Sequence, residues 1–332
     1  MEKKLTTVDL FAGAGGLTEG FRQAGFETIA ANEIMPDYSE TYKLNHTGAK
    51  VFTEDIRKIT VEQFKKECGL NGTKIDVLIG GPPCQGFSMA GMRDPKDPRN
   101  SLFMEYIRFV DGLQPKFFVM ENVPGILTMK TASGEKVIDL ICSEFAKTGY
   151  KFKYQKLHAA DYGVPQKRKR VVFIGTKTDK EITFPEPTHA EEAYKTVDGK
   201  QIEQWVGAGT VLLERKDVPE KFFMSEKMIN GFIKRRIQNE KKGRGFGWQI
   251  IDPKKPCYTI SARYWKDGAD ALVKYSDKDI RMLTPEEAAA IQTFPKEYKF
   301  YGSKRVVYTQ IGNAVPAGLA KAIAEEIKKK LL

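Results

Sequence analysis

Through its first 178 residues the chain alternates short apolar, β-rich runs with amphipathic stretches, and this alternation restricts the fold more than any other feature. Strands are expected at 5–11, 27–33, 75–80, 117–121 and 170–176, with helices at 17–24, 35–44, 102–113 and 135–148. Strands that take turns with helices build a parallel, doubly wound α/β sheet covered on both faces. In such a sheet the ligand crevice lies beyond the carboxyl ends of the strands. The alternation stops near Pro185-Glu186-Pro187. From there to about Asp279 the chain is rich in Gly, Lys, Arg and aromatics with little helical periodicity, as expected of a second, smaller domain. A regular helix returns at the end, where Leu319, Ile323, Ile327 and Leu331 recur every four residues.

Charge follows the same division. Residues 1–150 hold 18 Lys and Arg against 20 Asp and Glu, whereas residues 151–332 hold 36 against 23. The net charge of +11 therefore resides wholly in the second part of the chain, which points to a polyanionic partner, nucleic acid before membrane. The four cysteines, Cys68, Cys84, Cys142 and Cys257, form no CxxC pair, so no metal site is expected. Such spacing suits free thiols in a reducing compartment. No apolar run approaches the roughly 18 residues a membrane helix needs, and Asp9 interrupts the first apolar run before it could serve as a signal core.

Several segments carry chemistry. The first strand runs into Phe11-Ala12-Gly13-Ala14-Gly15-Gly16, a glycine turn that lets the backbone approach a ligand closely. Glu33 follows about twenty residues later, placed to accept both hydroxyls of a ribose, and Asp55 is placed for an adenine amino group. Thr18 stands where a dinucleotide fingerprint would have its third glycine, which disfavours NAD. The second segment is Gly80-Gly81-Pro82-Pro83-Cys84-Gln85-Gly86-Phe87-Ser88, at the carboxyl end of a strand. Two prolines stiffen the approach to Cys84, and a thiol on a rigid turn at the sheet's edge is placed to act as a nucleophile. The loop 89–100 that follows reads as a lid. In the third, Glu121 ends another apolar run at the same sheet edge and can share a proton with a ring nitrogen. Gln166, Arg168 and Arg170 would point to one face of a strand, where the arginines can hold a phosphate or a pyrimidine carbonyl and pair with Glu121. Near the end, Thr284, Pro285 and Glu287 read as a capping box that starts a helix, and Gly312-Asn313 as a turn able to close over the cofactor.

In their order and spacing, segments 9–16, 81–88, 121–123, 166–170, 281–288 and 310–316 resemble the DNA cytosine-5 methyltransferases of bacterial restriction–modification systems. The resemblance spans nearly the whole chain. It implies a Rossmann-like S-adenosylmethionine-dependent methyltransferase sheet with a second, smaller target-recognition domain. The catalytic and cofactor-binding domain would be 1–183, the target-recognition domain 184–279, and 280–332 would return to the catalytic domain. Cytosine C5 is too weak a nucleophile to attack a sulfonium methyl unaided. The resemblance makes Cys84 the thiolate that adds to C6, and Glu121 the partner of N3 and the exocyclic amine. Arg168 would hold the O2 edge and orient Glu121, with Arg170 at the sugar-phosphate. S-adenosylmethionine, leaving as S-adenosylhomocysteine, would be held by Phe11, Gly13, Ala14, Gly15, Gly16, Glu33, Ile34, Asp55, Ile56, Pro83, Leu102 and Asn313. The target base must leave the duplex to be reached.

For DNA contact the resemblance points to Gln85 and Ser88 beside the nucleophile. It also points to Arg244, Thr259, Ser261, Arg263 and Tyr264 in segments like those of enzymes acting on CCWGG-type or CCNGG-type sites. Arg244 and Arg263 are candidates for bidentate guanine contact. Lys234, Arg235, Arg236, Lys241 and Lys242 would meet phosphates or nothing, and Tyr264 and Trp265 would stack or fill the small core. The expected setting is a cytoplasmic, nucleoid-associated monomer on double-stranded DNA, with a cognate restriction endonuclease acting separately. The rival is a tRNA cytosine-5 methyltransferase branch, whose Cys-Phe-Thr segment Cys257-Tyr258-Thr259 approaches, although 261–268 resembles the DNA-modifying branch.

Overall fold

The computed structural model describes residues 4–83, 102–131, 134–243, 248–266, 268–269 and 271–332. The chain forms two compact units, one of Met1–His158, Lys169–Glu186 and Leu319–Leu332, the other of Ala159–Arg168 and Pro187–Gly318. The boundary back into the first unit falls at Leu319, downstream of the position near 280 expected from motif order.

The first unit runs β1 (Leu5–Leu10), α1 (Gly16–Gln23), β2 (Phe26–Asn32), α2 (Pro36–Asn45), β3 (Lys50–Phe52), α3 (Val61–Glu67), β4 (Val77–Gly80), α4 (Leu102–Leu113), β5 (Phe117–Asn122), α5 (Val137–Lys147), β6 (Lys151–His158) and β7 (Lys169–Thr176). Its sheet has the order β3-β2-β1-β4-β5-β7-β6. Strands β1 to β5 pair in parallel, as the alternation predicts, but β7 is antiparallel to both β5 and β6. The sheet is therefore mixed. β6 escaped the sequence reading because it is an edge strand: Lys151, Lys153 and Lys156 face water and dilute its apolar signal. The central strands are buried on both faces and read as apolar runs, Val77-Leu78-Ile79 and Phe117-Phe118-Val119-Met120. One face packs Phe118 flat on Phe145, ring centroids 4.5 Å apart. Gly175 pairs with Phe118 across β5 and β7, and a Cβ on it would lie 2.1 Å from that ring.

The second unit holds the short strands β8 (His189–Ala190), β9 (Tyr194–Lys195) and β10 (Gln201–Gln204), then α6 (Glu226–Lys241), β11 (Leu272–Lys274), β12 (Ile280–Met282), α7 (Pro285–Ile291) and α8 (Lys304–Asn313). The last helix, α9 (Ala317–Leu331), belongs to the first unit from Leu319 onward. The second unit's core gathers Ile229, Phe232, Ile260, Tyr264, Leu272, Leu283, Ile291 and Tyr308 among others. Thr284 caps α7 as expected, accepting from the Glu287 amide, while the Glu287 carboxylate accepts from the Thr284 amide. The same carboxylate meets Arg281 at 2.7 and 2.8 Å, and both side chains are shut off from water. The 16-residue α6 contradicts the expectation of little helical periodicity in this region. Only Ile229 and Phe232 of that helix are buried, too few to make an apolar period visible.

Candidate active site

The glycine turn at the end of β1 takes a left-handed course: φ is +56° at Phe11, +57° at Gly13 and +82° at Gly15. A non-glycine residue at positive φ stores strain, so Phe11 must be held from outside. Two contacts next to it do so. The Ala12 amide donates to the Asn32 carbonyl at 3.0 Å, and the Gly13 amide donates to Glu33 Oε2 at 2.7 Å. Glu33 Oε1 accepts from the Met35 amide at 2.8 Å. Burial raises the Glu33 pKa, and these backbone donors work against that rise. The carboxylate thus ties the turn to the end of β2. A Cβ on Gly13 would meet nothing within 4 Å, so the turn borders open space.

Beneath the turn lies a network that sequence reasoning missed. Asp9, fully buried, accepts from the Thr18 hydroxyl at 2.6 Å, and that hydroxyl also meets the Tyr42 phenol at 2.7 Å. Asp9 Oδ1 has no hydrogen-bond partner among the described residues. Burial pushes the Asp9 pKa up to about 8, opposed by the Thr18 bond and reinforced by the charge of Glu33. Thr18, read from sequence only as a missing glycine, is the link in this network.

Ile34 is exposed next to Glu33, and Ile56 is buried. The Asp55 carboxylate caps the turn that Ile56 starts and is gripped by Arg57 at 2.9 and 2.5 Å, which lowers its pKa. Leu102 opens α4, half-buried. Asn313 lies at the end of α8 in the second unit.

At the carboxyl end of β4 one glycine is sterically required and the next is tightly placed. A Cβ on Gly80 would come within 2.5 Å of the Leu10 carbonyl and 2.8 Å of the Tyr106 ring. One on Gly81 would sit 3.1 Å from Glu121 Oε2. Asn122 then donates to the Pro82 carbonyl at 2.9 Å. The segment that leads to Cys84 is therefore pinned beside Glu121 by that residue's own neighbour. Asn122 was not foreseen, although its place next to Glu121 was a signal. Cys84, Gln85 and Ser88, and the lid reading of 89–100, lie outside the described residues, as does Arg244.

The structure corrects the roles of the two arginines. Arg170, not Arg168, meets Glu121: its Nε lies 2.6 Å from Oε1, with both side chains almost wholly buried. The register explains this. β7 begins at Lys169, and Glu121 on β5 is opposite Val172, two residues along from Arg170 on the same face. Arg168 belongs to the second unit, where it is 1 % exposed and donates to the carbonyls of Ile260 at 3.1 Å and Gly312 at 2.9 Å. Gln166 works beside it, receiving the Ile260 amide and donating to Gln292. The segment 166–168 is thus a clamp on 257–260, with Thr259 donating to the Lys167 carbonyl at 2.7 Å. Gly312 packs against Ser261 so closely that a Cβ would lie 2.3 Å from its carbonyl oxygen.

Tyr264, expected among the DNA contacts, is a core residue. It is 1 % exposed, donates to the Ala271 carbonyl at 2.6 Å and accepts from the Leu283 amide at 2.8 Å. Arg263 is exposed and Ser261 half-buried. Among the described residues no group of three His, Cys, Asp or Glu could hold a metal ion, and no helix is long and apolar enough to cross a membrane.

A sheet with this strand order, a glycine turn tied to an acid at the end of β2 and an Arg-paired carboxylate at the end of β5 define a Rossmann-like S-adenosylmethionine-dependent methyltransferase. The chain belongs to the C-5 cytosine-specific DNA methylase family, whose pattern it matches over residues 5–329. It is 40% identical over 344 residues to the type II methyltransferase M1.HphI of Haemophilus parahaemolyticus, covering 98% of this chain and 87% of that protein. It is 37% identical to the type II methyltransferase M.DdeI of Desulfomicrobium norvegicum, covering 97% and 88%. The methyltransferase EhMeth of Entamoeba histolytica shares the fold over the full length of both chains, with a TM-score of 0.75 at 18% identity. Membership makes the protein a DNA cytosine-5-methyltransferase, favours the DNA reading over the tRNA one, and implies S-adenosylmethionine as methyl donor.

Proposed function

We propose that the protein methylates C5 of a flipped cytosine in a short duplex DNA site, through a covalent bond between Cys84 and C6, as the modification enzyme of a restriction–modification system. The observation that carries this reading is the Glu121–Arg170 pair lying against Gly81 on the segment that leads to Cys84. The open turn at Gly13 and the anchored Glu33 fit a nucleoside cofactor. Phe11, Gly13, Ala14, Gly15 and Gly16 would hold it along the backbone, Glu33 at the ribose, and Ile34, Asp55 and Ile56 at the adenine. Pro83 and Leu102 complete the set. When bound, S-adenosylmethionine supplies an electrophilic methyl group.

The Cys84 thiolate adds to C6, and the displaced electron pair makes C5 nucleophilic. Glu121 holds N3 and protonates it as charge builds in the ring, and Arg170 fixes the carboxyl in place. After methyl transfer to C5 a base takes H5, the C6–sulfur bond breaks, C5=C6 re-forms and N3 returns its proton to Glu121. Arg168 acts at a distance by holding 257–260 and 312. The second unit would carry target recognition, through Arg263, Ser261, Thr259 and Arg244, with Gln85 and Ser88 at the vacated base. A cytoplasmic monomer serves this role, with a cognate endonuclease acting separately. The test is incubation with labelled S-adenosylmethionine and either plasmid DNA or bulk tRNA, followed by mapping of 5-methylcytosine. Label confined to short DNA sites is expected, and label on tRNA alone would sink the reading.

A further inference from the structure

Helix α6 carries a feature that the reaction does not use. Lys227, Lys234 and Lys241 recur every seven residues, so they form one stripe that drifts only about 20° per step. At 1.5 Å per residue the stripe is about 21 Å long. It lies directly opposite Ile229 and Phe232, the two side chains that dock α6 on the core of its unit. All three lysines are exposed, and no carboxylate among the described residues pairs with any of them. The two acids of the helix are elsewhere: Glu226 opens the first turn, and Glu240 is held by Arg236 at 2.9 Å.

Gly231 supplies an independent observation. It stands mid-helix on the lysine face, where glycine is a poorer helix former than alanine. No packing requires it, since a Cβ there would meet nothing within 4 Å. A helix-interior glycine with open space above it leaves the helix backbone approachable from outside. Asn230 and Gln238 flank it with neutral donors.

We propose that the Lys227–Lys234–Lys241 face of α6, with Gly231 as its point of closest approach, docks on the phosphate backbone of duplex DNA and supplies affinity without sequence discrimination. The proposal rests on the DNA-methyltransferase reading and adds a surface to it. Lysine suits such a surface, because a point charge on a flexible stem neutralises phosphate without selecting a base, which bidentate arginine or amide contacts would do.

The test uses the full chain and duplexes with and without cytosine, with binding followed by fluorescence anisotropy from 50 to 200 mM salt. Each lost phosphate contact flattens the log–log salt slope by about 0.9. The triple variant K227Q/K234Q/K241Q is expected to lose about 2.7 from the slope on both duplexes, so the wild-type advantage shrinks roughly 40-fold over that fourfold rise in salt. Gly231→Leu should keep or raise Tm while weakening binding to both duplexes. A slope unchanged in the triple variant, or Gly231→Leu with wild-type binding, overturns the proposal. So does loss of self-association at an unchanged slope, which would put a second copy of the chain against α6, where Met228, Ile233 and Ile237 are also exposed. Covalent trapping on 5-fluorocytosine DNA at low salt separates the two claims. Trapping by both proteins with no change in slope would defeat only the α6 surface, whereas its absence in the wild type would defeat the reaction itself.

Discussion

Replacing Asp9 with asparagine should change how stability depends on pH, by an amount the structure sets. Asp9 is fully buried, its pKa is pushed up to about 8 from an ordinary 3.8, and burial is the main cause. Between those values the native state keeps a proton that the unfolded chain has lost, so stability falls as pH rises, by about 1.4 kcal/mol per pH unit. Below 3.8 both states are protonated, and above about 8 both are ionised, so the effect is flat at either end. The asparagine side chain cannot titrate. Its carbonyl oxygen can still accept from Thr18, and its amide nitrogen replaces Oδ1, which has no partner among the described residues. That replacement gives a constant offset, and the pH-dependent part stands apart from it. Glu33 titrates in both proteins and cancels to first order. The stability of Asp9→Asn minus that of the wild type should therefore rise by about 2.7 kcal/mol between pH 5 and pH 7 and level off beyond pH 8. Urea melts of both proteins at pH 5, 6, 7, 8 and 9 measure it. A difference that stays flat from pH 5 to pH 8 would refute the argument, because it would mean that Asp9 is ionised in the folded protein. Since Asp9 lies two residues before the glycine turn, the same measurement shows the protonation state in which the cofactor site is held.

Two further perturbations probe other parts of the frame. Glu33→Gln leaves one of the Gly13 and Met35 amides without an acceptor, and a hydrogen bond to a charged group is worth about 1.5–3 kcal/mol. Calorimetry with S-adenosylhomocysteine should show affinity falling roughly 10- to 150-fold, and affinity within twofold of wild type would contradict the role of Glu33. Glu287→Gln strands the buried Arg281 cation and should cost about 3–5 kcal/mol in denaturant unfolding. The double variant Arg281→Met with Glu287→Leu should recover most of that loss, and no recovery would mean the pair matters for something other than its charge.

Much of this was legible in the sequence. Strands β4 and β5 stood out because strands buried on both faces read as apolar runs, Val77-Leu78-Ile79 and Phe117-Phe118-Val119-Met120, whereas β1 and β2 stood out as short β-rich segments on either side of the first helix. The capping box at Thr284 was visible because its chemistry is local. What stayed hidden depends on parity or on distance. Gln166, Arg168 and Arg170 look equivalent in sequence, yet β7 begins at Lys169, so Arg170 enters the sheet two residues from Val172, the partner of Glu121, while Arg168 stays in the second unit. Tyr264 could have faced solvent or core, and only Ala271 and Leu283, 7 and 19 residues away, provide the partners that settle it. Asp9 sat inside a recognisable motif, but nothing local announces that a carboxyl beside a glycine turn is sealed from water. The basic excess of the second part of the chain first indicated only a polyanion. On α6 it resolves into an ordered face with its acids turned away.

The central claim is that Cys84 bonds to the target base, and trapping on 5-fluorocytosine tests it most directly. Fluorine at C5 cannot be removed as a proton is, so an enzyme that adds through a thiolate stays attached after methyl transfer. With S-adenosylmethionine and duplex DNA carrying 5-fluorocytosine at the methylated position, the wild type should migrate as a denaturant-resistant protein–DNA adduct linked through Cys84 in peptide mapping. Cys84→Ser should form no adduct and transfer no methyl group while binding S-adenosylhomocysteine as before. Methyl transfer by Cys84→Ser at a near-normal rate, or an adduct mapped to another residue, would contradict the account.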